Sequence, residues 1–415
     1  MLLFFSVRLF AIEKPVLMDI IMIIQPKVRG FICTTAHPAG CFNIVEEQIN
    51  YIKALPSFSG PKNVLVIGAS TGYGLASRIA ATFGANANTI GVFFEKEADE
   101  KRTASAGWYN IAAFETIAHR EGHYAKSING DAFSHAIKQQ TADLIHRDLK
   151  QIDLIIYSVA SPRRIHPDSG QVFSSVLKPI NKAYSSKTVD VFRGEVKSIS
   201  LDAATDDELN NTIAVMGGED WEMWLDFLAK ENVLTDGVKT IAYSYIGPEL
   251  TFPIYKEGTI GRAKDDLYKS TEKINKKLAS LHGKALISIN KAVVTQASAA
   301  IPVVPLYISL LFKIMKEKGT HEGCIEQMYR LFKNIYGAQL IHDADGYIRL
   351  DDLEMQSDVQ QKITALWPHI TSENLEQLTD IAGYRNEFYR LFGFNAKNVD
   401  YNADVNQEVK IESIL

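Results

Sequence analysis

The sequence predicts an α/β protein built on a doubly wound parallel sheet, with helical additions. Three observations carry this. Apolar runs of strand length recur with helical stretches between them, one of those runs ends in a glycine-rich turn, and the last third of the chain turns predominantly helical.

In chain order the strand-like runs are Asn63–Ile67, Thr89–Phe94, Tyr124–Ile128, Leu154–Ser158, Thr240–Tyr245 and Ala285–Ile289. Near-continuous apolar runs of this length suit a parallel sheet covered on both faces. Beyond Pro305, helices are expected over Leu306–Lys316, His321–Tyr336, Leu353–Trp367 and Asn374–Ile381. No Gly/Ser/Pro-rich linker separates these from the rest, so residues 22–415 read as one large unit. Within it three parts are expected, at about 60–200, at about 215–335 and, predominantly helical, at about 336–415. Residues 1–21 read as an extension outside the core. Met1–Ile12 is apolar, but no basic segment precedes it and no small-residue cleavage site follows, so Met22 is the more natural beginning.

Bulk composition narrows the function classes. With 46% hydrophobic and 22% charged residues over 415, the chain falls in the ordinary globular range. A net charge of −5 without a long block of like charge argues against nucleic acid as a partner. Cys33, Cys41 and Cys324 are too few and scattered for a disulfide framework or a zinc site, which fits a reducing, cytoplasmic setting with no metal. Val293–Phe312 is long enough to span a bilayer, yet Gln296, Ser298, Pro302, Pro305 and Ser309 interrupt it. Buried segments lining an apolar pocket explain it better than a membrane span. His342–Tyr347 has no glycine at the sixth loop position that calcium loops require, and reads as a turn before a short strand.

The strongest local signal is Val64–Ala76, where a strand runs into Gly68, Gly72 and Gly74 and then a helix. Glycine lets the backbone approach a pyrophosphate, and the free N–H groups of the new helix point at it. A tight turn made for packing alone has a similar pattern, but the context favours a dinucleotide. Glu95 lies 21 residues after Gly74, near the offset at which an acid meets the adenosine ribose hydroxyls. A carboxylate there repels a 2′-phosphate, which favours NADH over NADPH. Asp131, at the end of the third run, can accept from the adenine amino group, and the small residues of Ser158-Val159-Ala160 leave room over the sheet. This defines a Rossmann-like fold with a ligand crevice at the strand ends.

Hydride transfer to a carbonyl or a conjugated double bond puts negative charge on an oxygen, which needs a hydrogen-bond donor, and a proton must follow. A tyrosine beside a lysine supplies both. Tyr255 and Lys264 are nine residues apart, so one continuous helix would turn them through about 900° onto opposite faces. Gly258 and Gly261 interrupt regular structure, placing Tyr255 on a loop folded over the start of a helix whose first turns carry Lys264. Leu267, Ile274, Leu278 and Leu281 give that helix an apolar face. In isolation, a packing tyrosine and a solvated lysine fit these residues better than a catalytic pair does. The ammonium is expected to lower the phenol pKa.

The Tyr-x8-Lys pair, the Gly68–Gly74 turn, Phe94-Glu95 and the run Lys291–Ser298 together resemble the trans-2-enoyl-CoA reductase and FabV-type enoyl-acyl-carrier-protein reductase family, over Ile23 to about Ile411. The resemblance implies a short-chain-reductase-like fold, enlarged by helical substrate-binding additions. It also implies NADH-dependent reduction of enoyl thioesters in fatty acid biosynthesis. Tyr255 would be the proton donor, Lys264 a cofactor contact and Tyr245 a substrate contact. NADH would touch Gly68, Ala69, Ser70, Thr71, Gly72 and Tyr73 in the turn, and Phe94, Glu95, Asp131, Ala132, Val159 and Ala160 at later strand ends. Val293, Val294 and Thr295 would reach it from a later loop. Parts of the family carry a flavin label in the C-terminal region; nothing in residues 336–415 gives a physical reason to expect one.

The partner implied is an acyl thioester carried by CoA or acyl carrier protein, with a monomer among the open oligomeric states. Two other segments have two readings each. Met216–Trp224 suits a lid or acyl-channel wall as well as core, and Arg163 and Arg164 suit carrier phosphates as well as solvent. The rival functions are a short-chain dehydrogenase acting on 3-oxoacyl groups, since Tyr/Lys chemistry serves carbonyls too, and a non-catalytic nucleotide-sensing module.

Overall fold

A strand that is apolar at successive positions must bury both of its faces, and Asn63–Ile67 (β1) does so. In the computed structural model, which describes residues 21–414, Val64 and Val66 pack into one core while Leu65 and Ile67 pack into another on the opposite face. The alternation is the period-two geometry of a strand. Burying each such side chain contributes about 1.5–3 kcal/mol.

The remaining sheet strands are Asn88–Phe93 (β2), Ala125–Asn129 (β3), Ile152–Tyr157 (β4), Leu234–Ser244 (β5), Lys284–Ile289 (β6) and Ile348–Arg349 (β7). They bond in the order β7-β6-β5-β4-β1-β2-β3, with every neighbouring pair parallel. The chain winds outward from β1 to β3 and then crosses back to β4, so the order reverses between β1 and β4. Open α/β sheets bind ligands beyond the carboxyl ends of the strands at such a reversal.

The six expected strands are all present. The largest departure is β5, which begins six residues before the expected Thr240 because Thr235, Asp236 and Gly237 hide its apolar pattern. Its register against β4 shifts between Leu234 and Lys239. Two antiparallel hairpins, Arg163–Ile165 with Val172–Ser174 and Tyr184–Asp190 with Glu195–Leu201, stand outside the sheet and have no counterpart in the sequence reading.

Helices cover both faces. In chain order they are Pro38–Ala54 (α1), Gly72–Ile79 (α2), Ala106–Arg120 (α3), His135–Leu144 (α4), Asp206–Met216 (α5), Glu219–Lys230 (α6), Thr259–Leu278 (α7), Val304–Lys318 (α8) and Cys324–Ile335 (α9). Core residues of α1, α2, α3, α8 and α9 join Val64 and Val66; those of α4 and α6, with Leu267, Ile274 and Leu278 of α7, join Leu65 and Ile67.

Trp221 and Trp224 are fully buried in that second core. Their indole N–H groups donate to Thr240 Oγ1 at 2.9 Å and to the Ala132 carbonyl at 3.1 Å, which makes them core rather than lid. The expected helix over Asn374–Ile381 is two helices, Leu375–Leu378 and Ile381–Arg390, because the Asp380 side chain accepts from the Gly383 N–H at 2.9 Å and starts a new helix.

Val293–Phe312 is a buried loop, one helical turn at Gln296–Ala299 and the first half of α8. Among the described residues no helix is long and apolar enough to cross a membrane. At His342–Tyr347 one Asp343 carboxylate oxygen accepts the N–H groups of Asp345 and Tyr347, which closes the turn before β7. The reading of residues 1–20 as an extension lies outside the described residues. Ile21–Met22 pairs with Val405–Asn406.

Candidate active site

The strand ends open onto a cleft of about 680 Å³ at the β1/β4 reversal. Gly68 forms its floor with φ +87°, and a Cβ there would come within 2.3 Å of the Ser158 carbonyl oxygen. A Cβ on Gly74 would come within 1.9 Å of the Gly68 carbonyl oxygen, so both positions require glycine. Thr71 precedes α2 without capping it through its side chain, leaving the first N–H groups of that helix for an anion.

Ser70, Thr71, Gly72, Tyr73, Phe94, Glu95, Asp131, Ala132, Val159, Ala160 and Thr295 all line this cleft. Ala69 does not; it is buried, with its N–H bonded to the Val92 carbonyl. Val293 and Val294 line a neighbouring cavity of about 420 Å³ that shares Thr71, Gly72 and Thr295 with the cleft. Phe94, 77% exposed, stands on the rim. Tyr73 directs its hydroxyl away from any ligand, to the Lys291 carbonyl at 2.6 Å and Gln327 Oε1 at 3.0 Å.

Glu95 is held from three sides. The Ser70 hydroxyl donates to its Oε1 at 2.6 Å, and Asn129 clips its backbone through Oδ1 at 2.8 Å and Nδ2 at 3.0 Å. Gly107, in the first turn of α3, leaves room for the carboxylate: a Cβ there would come within 2.0 Å of Oε1. Sequence reading found Glu95 but missed Asn129, whose signal was an Asn at a strand end usually ascribed to a turn. Arg163 lines the same cleft and is exposed. Arg164 is buried and bonds Glu219 at 2.6 Å and the Ala214 carbonyl at 2.7 Å, so it is not available to carrier phosphates.

Tyr255 sits in the turn ahead of α7, with Lys264 in the second turn of the helix. Gly258 is the residue before the helix and Gly261 lies inside its first turn, not in the loop as expected. The reason is space: a Cβ on Gly261 would come within 1.9 Å of the Lys256 carbonyl oxygen of the folded-back turn. Tyr245 follows β5, and its ring meets Tyr255 edge-on, with centroids 4.9 Å apart. The Tyr245 hydroxyl donates to Glu354 Oε1 at 2.9 Å. The Tyr255 side chain, 7% exposed, has no such partner among the described residues. Lys264 donates to the Tyr243 carbonyl at 3.3 Å, leaving two ammonium protons for other acceptors.

Burial lowers Lys264 to about 8. Burial, reinforced by Tyr268, pushes the Tyr255 phenol up rather than down. The expected lowering by Lys264 is absent because the ammonium points at the Tyr243 carbonyl and desolvation of a phenolate dominates. Tyr245 is also raised well above its ordinary value, through burial and the carboxylate of Glu354. Tyr255 is therefore a neutral donor across the physiological range.

A glycine-turn cleft at a sheet reversal with an acid at the end of its second strand, and a tyrosine and a lysine following the fifth strand outside the cleft lining, are the features of a nicotinamide-dependent oxidoreductase of the Rossmann class. Comparison with known proteins narrows this. Residues 23–100 match the NAD(P)H binding domain of trans-2-enoyl-CoA reductase, residues 102–336 match the trans-2-enoyl-CoA reductase catalytic region, and residues 342–405 match the enoyl reductase FAD binding domain. The NADH-dependent trans-2-enoyl-CoA reductase of Ruminiclostridium cellulolyticum is 60% identical over 394 residues, 95% of this chain and 100% of the relative. The NADH-dependent enoyl-acyl-carrier-protein reductase of Coxiella burnetii is 62% identical over 398 residues, 95% of this chain and 98% of the relative. The crystal structure of Treponema denticola trans-2-enoyl-CoA reductase in complex with NAD superposes with a TM-score of 0.90 at 49% identity, covering 94% of this chain and all of that one. The chain belongs to the trans-2-enoyl-CoA reductase family.

The flavin implied by the third match does not fit the residues present. Among the described residues of 342–405, the strands are two residues long and none runs into a glycine-rich turn and helix that would cradle a pyrophosphate. Ile381, Tyr384 and Phe388 of the last helix are committed to the core, and Arg385 donates to the Val191 carbonyl at 2.6 Å.

Proposed function

We propose that the protein reduces the 2,3 double bond of a trans-2-enoyl thioester to the saturated acyl thioester, as a step of fatty acid biosynthesis in the cytoplasm. NADH, when bound along Gly68–Tyr73, Glu95, Asp131 and Val159–Ala160, supplies the hydride for the β carbon. Tyr255 hydrogen-bonds the thioester oxygen as charge develops there and passes a proton toward the α carbon. Lys264 holds the cofactor ribose with its two free ammonium protons and keeps the local field positive. Tyr245 walls the acyl site. Within this reading residues 60–200 bind the cofactor, 215–335 supply the acid and the acyl site, and 336–415 buttress them.

The observation that carries the reading is the contrast between two touching tyrosines. Tyr245 commits its proton to Glu354 at 2.9 Å, while Tyr255 keeps its hydroxyl for a ligand. A nucleotide sensor would have no use for that arrangement. Absorbance at 340 nm with NADH and either crotonyl or acetoacetyl thioester tests the reaction class. Consumption of NADH is expected with crotonyl thioester, and turnover confined to acetoacetyl thioester would establish the carbonyl reductase instead. The same assay with crotonyl-CoA and crotonyl-acyl carrier protein identifies the carrier. Recovery in the soluble fraction after detergent-free lysis tests the location, and recovery in washed membranes would contradict it.

A further inference from the structure

The fully buried Glu354, five residues past the end of β7, is a group that neither cofactor binding nor proton donation accounts for. One carboxylate oxygen accepts from Tyr245 at 2.9 Å and from Tyr307 of α8 at 2.6 Å, and the other accepts from the Ala292 N–H at 2.7 Å. A carboxylate removed from water persists only when paired and hydrogen-bonded. Three donors hold it here; burial pushes its pKa up, and the buried Lys291, which donates to the Ala292 carbonyl at 2.8 Å, opposes that rise with its positive charge. The loop that Glu354 grips runs on to Thr295 at the cofactor cleft. Its other end is tied to the glycine-rich turn, since the Tyr73 hydroxyl donates to the Lys291 carbonyl.

We propose that Glu354 is a positioning residue for the reaction: by holding the Tyr245 hydroxyl it fixes the wall against which Tyr255 stands, and by holding Ala292 it locks that wall to the loop at the cofactor cleft. It touches neither substrate nor cofactor. This rests on Tyr255 being the proton donor. A family match labels this part of the chain for a flavin; the geometry gives the segment a different task, delivery of one carboxylate to the back of the active site.

The test is a double-mutant cycle on the full chain, measuring kcat and KM for crotonyl-CoA with Glu354→Gln, Tyr245→Phe and the pair together. Glutamine keeps the size but turns an amide donor toward either the tyrosines or the Ala292 N–H. A displaced wall is expected to lower kcat/KM by up to about 10²-fold, the order of cost of an ångström-scale misplacement. In the Tyr245→Phe background the penalty of Glu354→Gln is expected to shrink by about the 2- to 10-fold that Tyr245→Phe costs alone, since the route through that hydroxyl is already cut while the route through the Ala292 N–H remains. A purely structural glutamate would impose its full penalty in both backgrounds, and that result overturns the proposal. Should Glu354→Gln not fold, Glu354→Asp keeps the charge, draws the carboxylate back by one methylene and is read in the same cycle with the same two outcomes. Tyr255→Phe separates the two readings: unchanged turnover in that variant refutes Tyr255 as donor, whereas equal penalties in the cycle refute the role of Glu354 alone.

Discussion

The proposed cofactor edge and the proposed proton-donating end of this protein are assembled in different ways. Along the cofactor edge, each functional residue sits at the carboxyl end of the next strand, from Gly68 after β1 to Glu95 after β2, Asp131 after β3 and Val159 after β4. The site is a by-product of winding the sheet. At the other end, Tyr245, Tyr255, Lys264 and Glu354 come from a strand end, a turn, a helix and a segment more than a hundred residues away, with Tyr245 and Glu354 separated by 109 positions. Motif and topology suffice for the first region; the second depends on long-range hydrogen bonds.

Substitutions sharpen that contrast. The largest effect is expected from Tyr255→Phe, which should lower kcat by roughly 10²–10⁴ while NADH affinity, read by fluorescence titration, stays nearly unchanged. Lys264→Ala should weaken NADH binding roughly 10- to 100-fold, the worth of a charged hydrogen bond, and lower turnover with it; unaltered NADH affinity would detach Lys264 from the cofactor.

The pH profile follows from the same lysine. Burial brings Lys264 to about 8, so its charged form is present below that pH and lost above it. Activity that needs the ammonium should fall as pH rises through about 8, approaching tenfold per unit. Lys264→Arg, which stays charged, should flatten this limb, and a limb that persists in Lys264→Arg belongs to another group.

On the cofactor edge, Glu95→Ala should narrow the preference for NADH over NADPH by roughly tenfold, as repulsion of the 2′-phosphate is relieved. Equal use of both cofactors by the unaltered protein would remove Glu95 from that role. The smallest effect is expected from Tyr245→Phe: a rise in KM of roughly 2- to 10-fold with kcat little changed, since a neutral hydrogen bond is at stake. Loss of turnover in Tyr245→Phe together with an active Tyr255→Phe would exchange the two roles.

The two regions also differ in how much the chain reveals before folding. The strands, the glycine turn, Glu95 and the loop-then-helix placement of Tyr255 and Lys264 all follow from patterns within some 30 residues, where periodicity and spacing have meaning. Ser70 was visible as a member of the turn, but its bond to Glu95, 25 residues on, was not. Glu354 gave no signal, because a lone acid between Leu353 and Met355, close to Asp351, Asp352 and Gln356, looks like a surface acid until the fold supplies its partners. The two hairpins beyond β4 were missed for a related reason: their faces are only half buried, so their alternation is weak. Expecting a lowered Tyr255 pKa was an error of environment, since spacing placed the ammonium near the phenol but could not weigh the cost of burying a phenolate.

The central claim is that hydride and proton reach different carbons of an enoyl thioester, the proton by way of an exchangeable tyrosine. Running the reaction in D₂O with unlabelled NADH and crotonyl-CoA, and locating deuterium in the product by NMR, tests it directly. The expected product is butyryl-CoA with one deuterium at C2 and none at C3; deuterium at C3, or a 3-hydroxyacyl product, would contradict it.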